Sequence, residues 1–105
     1  MTLPMPFLAI ERVLDLLRMP HLDNSHGSPQ LDPTAALNAI RLMEDMPDDY
    51  PMPVILPDGV GLRVEWSTIP VEIRITSNPG GVHATFGTRQ ENGVGAVWKL
   101  LMESR

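Results

Sequence analysis

Residues 62–76 read Leu62-Arg63-Val64-Glu65-Trp66-Ser67-Thr68-Ile69-Pro70-Val71-Glu72-Ile73-Arg74-Ile75-Thr76, and their alternation decides the fold. Apolar residues fall at every second position on both sides of 67–70. Each half is therefore a strand with one face to bury and one charged face. Upstream, Pro53-Val54-Ile55-Leu56 runs into Pro57-Asp58-Gly59, a turn signal in which proline presets φ and glycine accepts a positive φ. Downstream, Ser77-Asn78-Pro79-Gly80-Gly81 is a second turn signal and leads into Val82-His83-Ala84-Thr85-Phe86. Consecutive one-sided strands make an antiparallel meander with one covered and one wet face, and Pro53 suits an edge position.

The charges bear on register. Pairing Trp66 with Val71 sets Arg63 against Arg74 and Glu65 against Glu72, and like charges directly opposite are unfavourable. A shift of two residues either way brings unlike charges together and keeps the buried face. The shifted pairing is the expected one.

A one-sided sheet needs a cover, and three helical patterns supply it. Phe7, Ile10, Val13, Leu14 and Leu17 mark one face of a helix from about Pro6 to Arg18, ended by Met19-Pro20. Asp32 is a good N-cap and Pro33 a good first residue. Ala36, Leu37, Ala39, Ile40, Met43 and Met46 then form a broad apolar face before Pro47. Thr88-Arg89-Gln90-Glu91 has capping-box spacing, and Val94, Val97, Trp98 and Leu101 follow at helical spacing. The expectation is α+β, a single domain over 1–105. Its helical half (1–50) holds two N-terminal helices, a four-stranded antiparallel β-meander spans 53–87, and the C-terminal helix (88–103) packs on one sheet face.

The 105 residues suit one domain, and 43% hydrophobic with 20% charged residues is ordinary globular composition. Without cysteine there is no disulfide framework, thiolate metal site or cysteine nucleophile. The net charge is −5, and it is concentrated in residues 1–52. No cluster of Lys or Arg offers a phosphate-binding stripe, which argues against direct nucleic-acid binding and against anionic membranes. Residues 1–10 lack the basic start of a signal peptide, and no apolar run reaches membrane-spanning length. A cytoplasmic location is expected.

The stretch Met43-Glu44-Asp45-Met46-Pro47-Asp48-Asp49-Tyr50-Pro51-Met52 is the most unusual in composition. Between Arg41 and Arg63 there are five acids and no base. Met and Tyr are favoured at interfaces, and nearby acids steer a basic partner. Glu44, Asp45, Asp48, Asp49, Tyr50, Met52 and Asp58 are therefore the candidate partner-binding residues, with a solvated linker as the competing reading. His21, Asp23 and His26, with Asp32 in reach, are the metal-like group, but they lie in a polar loop that fixes no geometry, so neither metal nor cofactor is expected. His83 is expected on the wet face beside Arg74, near Glu72 and Thr85. Glu65 and Glu72 interleave with arginines as in a salt-bridge ladder. Gly80-Gly81 and Gly93-x-Gly95 match no phosphate loop, and Trp66 and Trp98 fall on apolar faces as core residues do.

Residues about 22–76 resemble a group of small uncharacterised bacterial proteins often found on phage-like or mobile DNA, which share a Gly-x-x-x-x-Glu-Trp hairpin. Here Gly61-Leu62-Arg63-Val64-Glu65-Trp66, with three residues rather than four between Gly and Glu, preceded by Pro53, Pro57 and Gly59, and the strand Val71-Glu72-Ile73-Arg74-Ile75 carry the likeness. Asn24-Ser25-His26-Gly27-Ser28 stands where the group has a Trp-Asp-x-Tyr-Gly-Ala-like loop, with Asp23-Asn24 for Trp-Asp and His26 for Tyr. The resemblance implies a bacterial or phage accessory protein. The expected function is non-enzymatic: binding a partner protein with a basic surface and neutralising or inhibiting it, as an antitoxin or an anti-defence inhibitor does. The alternatives are a homo-oligomeric accessory subunit, a homodimer through the edge at 53–56 or through surplus methionines, and a small metal-dependent enzyme using His21, Asp23 and His26.

Overall fold

The computed structural model describes residues 5–18 and 31–104. Helices α1 (Met5–Arg18) and α2 (Pro33–Glu44) precede strands β1 (Val54–Asp58), β2 (Gly61–Glu65), β3 (Glu72–Ile75), β4 (Val82–Phe86) and β5 (Arg89–Asn92), and helix α3 (Val94–Ser104) follows. The strands form one antiparallel sheet in sequence order, β1 to β5. The fold is α+β. The inward side chains of the sheet, Ile55, Leu62, Val64, Ile73, Ile75, Val82 and Ala84, share a core with Ala9 and Val13 of α1, Leu42 and Met43 of α2, and Val97 and Leu101 of α3.

The sheet has a fifth strand where a helix start was expected. Gly87 takes φ +59 at the first position of a two-residue turn, the place where hairpins of this length favour glycine. Phe86 then pairs with Arg89 and Ala84 with Glu91, so the Thr-x-x-Glu spacing at 88–91 lies across a turn and a strand. Gly93 donates its N–H to Val82 O at 2.9 Å, and α3 begins only at Val94.

The β2–β3 register is also corrected. Arg63 lies opposite Arg74 and Glu65 opposite Glu72, the pairing that cross-strand charge disfavours. Burial decides it, because Trp66, Ile69 and Val71 in and around the connection are all buried, and a two-residue shift would pull them off the core. The charges are relieved by other neighbours on the same face instead. Arg63 Nε lies 3.7 Å from Glu65, and Arg74 Nε lies 3.6 Å from Asp58 and 4.0 Å from Glu72. These side chains are 39–64% exposed, which weakens both attraction and repulsion, although Arg63 Nε itself is buried without a hydrogen-bond partner.

Helix faces turn slightly from the expected ones. The buried stripe of α1 is Ala9, Val13 and Leu16, while Phe7 is exposed. In α2, Ala35, Asn38 and Leu42 face inward and Leu37 is 46% exposed. Asn38 is the reason: its side-chain amide donates to Thr76 O at 2.9 Å and Asn78 O at 3.0 Å, holding the β3–β4 turn. Asp32 caps the same helix. Thr34 N–H donates to its carboxylate at 2.7 Å, and Asp32 N–H donates to Val60 O at 2.8 Å. The first half of α2 thus grips both turns at one end of the sheet.

Candidate functional site

The acidic segment starts where α2 ends. Asp45 is the C-cap, its N–H directed at the carbonyls of Leu42 and Met43, and Tyr50 N–H donates to Pro47 O at 3.1 Å. Between 44 and 53 the chain sorts its side chains by chemistry. Met46, Tyr50 and Pro53 are buried, whereas Glu44, Asp45, Asp48, Asp49, Pro51 and Met52 face solvent.

Tyr50 is the anchor of this arrangement, and so it leaves the set of surface candidates. It is fully buried, and its hydroxyl donates to Leu101 O at 2.9 Å. Its ring meets Trp66 and Trp98 edge-on, at centroid distances of 5.7 and 5.3 Å. Each indole N–H finds a carbonyl on this segment or just before it: Trp66 donates to Pro51 O at 2.9 Å and Trp98 to Leu42 O at 2.7 Å. Every polar group of the aromatic cluster is satisfied, as burial requires. The segment is a strap tied to β2 and α3.

Four carboxylates (Glu44, Asp45, Asp48, Asp49) are thereby held outward on a fixed backbone. Met52, 41% exposed, and Val54, 52% exposed, continue the surface into β1. Among the described residues, Glu44, Asp45 and Asp48 take part in no salt bridge. Asp58 stands apart. β1 puts about 13 Å between Val54 and Asp58, and Asp58 pairs with Arg74 on the open face of the sheet.

That open face carries two polar rows. One runs Leu56, Arg63, Arg74, His83, Asn92 and the other Val54, Glu65, Glu72, Thr85, Gln90. His83 stands directly across from Arg74, as the alternation predicts, and its Nδ1 lies 2.7 Å from Asn92 Oδ1. At one end a shallow cavity of about 340 Å³ is lined by Glu65, Trp66, Ile69, Pro70, Val71, Glu72, Thr85 and Gly87. Near β5, the Arg89 guanidinium donates to Glu103 at 3.0 Å and to Glu91 at 3.2 Å. These bonds, Glu103 first, raise its pKa above the usual arginine value.

His21, Asp23 and His26 lie outside the described residues, among which no group of three His, Asp or Glu is placed to hold a metal ion. Among the same residues no helix is long and apolar enough to cross a membrane. Sequence reasoning missed Asn38, whose polarity on an otherwise apolar helix face was the available signal, and Val54, whose outward direction follows from the buried Ile55 beside it. Comparison of the chain with protein-family models, curated proteins and solved structures yields no match.

Proposed function

We propose that this chain is a non-enzymatic protein-binding module that occupies a basic surface on another protein with the acidic end of α2 and the adjoining Met52 and Val54. One observation carries the reading: Glu44 and Asp45 stand exposed at the carbonyl end of a helix and take part in no salt bridge among the described residues. Negative charge there opposes the helix dipole and costs about 0.3–1 kcal/mol per residue. Residues that lower stability without an internal partner are what a binding surface leaves behind. Exposed acids beside an apolar patch supply both parts of an interface, long-range steering and a small desolvated centre.

The likeness of the Glu65-Trp66 hairpin to proteins of mobile DNA extends the proposal. On that reading the chain is a bacterial or phage accessory protein, cytoplasmic, whose carboxylates compete for the basic site of a toxin or host-defence protein. The test compares the chain with its Glu44→Lys/Asp45→Lys/Asp48→Lys variant as baits in extract of the source cell. A stoichiometric partner should elute from the wild type with salt and be missing from the variant, while the variant melts no lower than the wild type. Equal capture by both baits would reject the acidic surface.

A further inference from the structure

The two edges of the sheet offer different backbone. In an antiparallel ladder closed by a two-residue turn, the flanking residues bond each other, and so does every second pair beyond them. The residues between direct N–H and C=O outward. In β1 the closing pair is Asp58 with Gly61, so the outward positions are Pro53, Ile55 and Pro57, and two of the three have no N–H to give. In β5 the closing pair is Phe86 with Arg89, and the bond from Gly93 N–H to Val82 O fixes the same phase. The outward residues there are Gln90 and Asn92, both exposed and both with complete donors and acceptors. One edge is blunted by proline, as edges that must not pair are. The other is not.

The charges of β5 say what fits it. Antiparallel pairing with a second copy, about a two-fold axis through Gln90, sets outward Gln90 against Gln90 of the other chain and Asn92 against Thr88 in its turn. It also sets Arg89 of each chain against Glu91 of the other. The neighbouring in-phase alignment, with the axis at Glu91, would set Glu91 against itself. Unlike charges directly opposite favour the first and like charges disfavour the second, so the strand is self-complementary in one register. Phe86, across from Arg89, and Met102, next to the Glu103 that bonds Arg89, are both exposed and widen the seam on the helix side.

We propose that β5 is the seam of a homodimer, in which two five-stranded sheets join edge to edge into one of ten strands. Arg89 keeps Glu103 and gains Glu91 of the second copy. A seam in which three residues of β5 a side pair with one another is small beside standard interfaces, so the dimer forms in the micromolar range and dissociates on dilution.

Sedimentation of the full chain from about 1 µM to about 1 mM should show the mass rising from 11.6 kDa towards twice that value. Arg89→Glu and Glu91→Arg, each alone, should stay monomeric, because each puts like charges opposite. Mixed one to one they should form a heterodimer, since both contacts then become attractive again. Amide exchange at Gln90 should slow only in samples that dimerise. A wild type monomeric throughout, a mixture that stays monomeric, or a dimer without protection at Gln90 would each overturn the proposal. Folding of the single variants is checked independently by their circular dichroism.

Discussion

Single side chains hold this fold at points that can be priced. Tyr50 is fully buried with its hydroxyl on Leu101 O, and Tyr50→Phe leaves that carbonyl without its donor. The loss should be about 1–3 kcal/mol, read as a lower urea midpoint with an unchanged slope. Gly61 is needed for space: a Cβ there would sit against the backbone oxygen of Ile75, an atom that cannot swing aside. Gly61→Ala should therefore lower stability by more than about 2 kcal/mol, visible in thermal unfolding, or push β2 and β3 apart. The role of Tyr50 was hidden in the sequence because its neighbours are acids and prolines, while the groups that bury it lie far along the chain in β2 and α3. Gly61, by contrast, could be placed at a hairpin from its surroundings alone.

The elements divide by whether their causes are local. Alternation and turn residues are local signals, and four strands, their faces, the edge position of β1 and the Asp32-Pro33 start of α2 were legible for that reason. The β2–β3 register was not, because the buried Ile69 in the connection outweighs screened surface charges. Nor was β5, since Thr88 and Glu91 match a capping box only until Gly87 turns the chain back. At α2 the cap and the acidic end make opposite predictions. Asp32→Ala removes the bond from Thr34 N–H and should cost about 1 kcal/mol. Glu44→Gln and Asp45→Asn should each stabilise by about 0.3–1 kcal/mol at low salt, the gain fading as salt is added. A loss of stability in the latter pair would mean these carboxylates have a structural role that the proposed surface does not need.

For the whole molecule, the layer of helices is closed by contacts between distant parts of the chain. Trp98 on α3 reaches Leu42 on α2, and Tyr50 reaches Leu101. Leu101→Ala should cost about 2–5 kcal/mol, a large share of the 5–15 kcal/mol typical of a domain, and a cooperative denaturation curve would show it. The candidate surface was legible only in part. Its acids stood out by composition, but which of the seven chosen residues share one face depended on the strap, which turns Tyr50 inward and leaves Asp58 at the far end of β1. The aromatic cluster also has an optical consequence. Both tryptophans of the chain touch its single tyrosine, at separations where excitation passes from phenol to indole. Light absorbed by Tyr50 will leave as tryptophan emission while strap, sheet and α3 stay together, and tyrosine emission will return when they part.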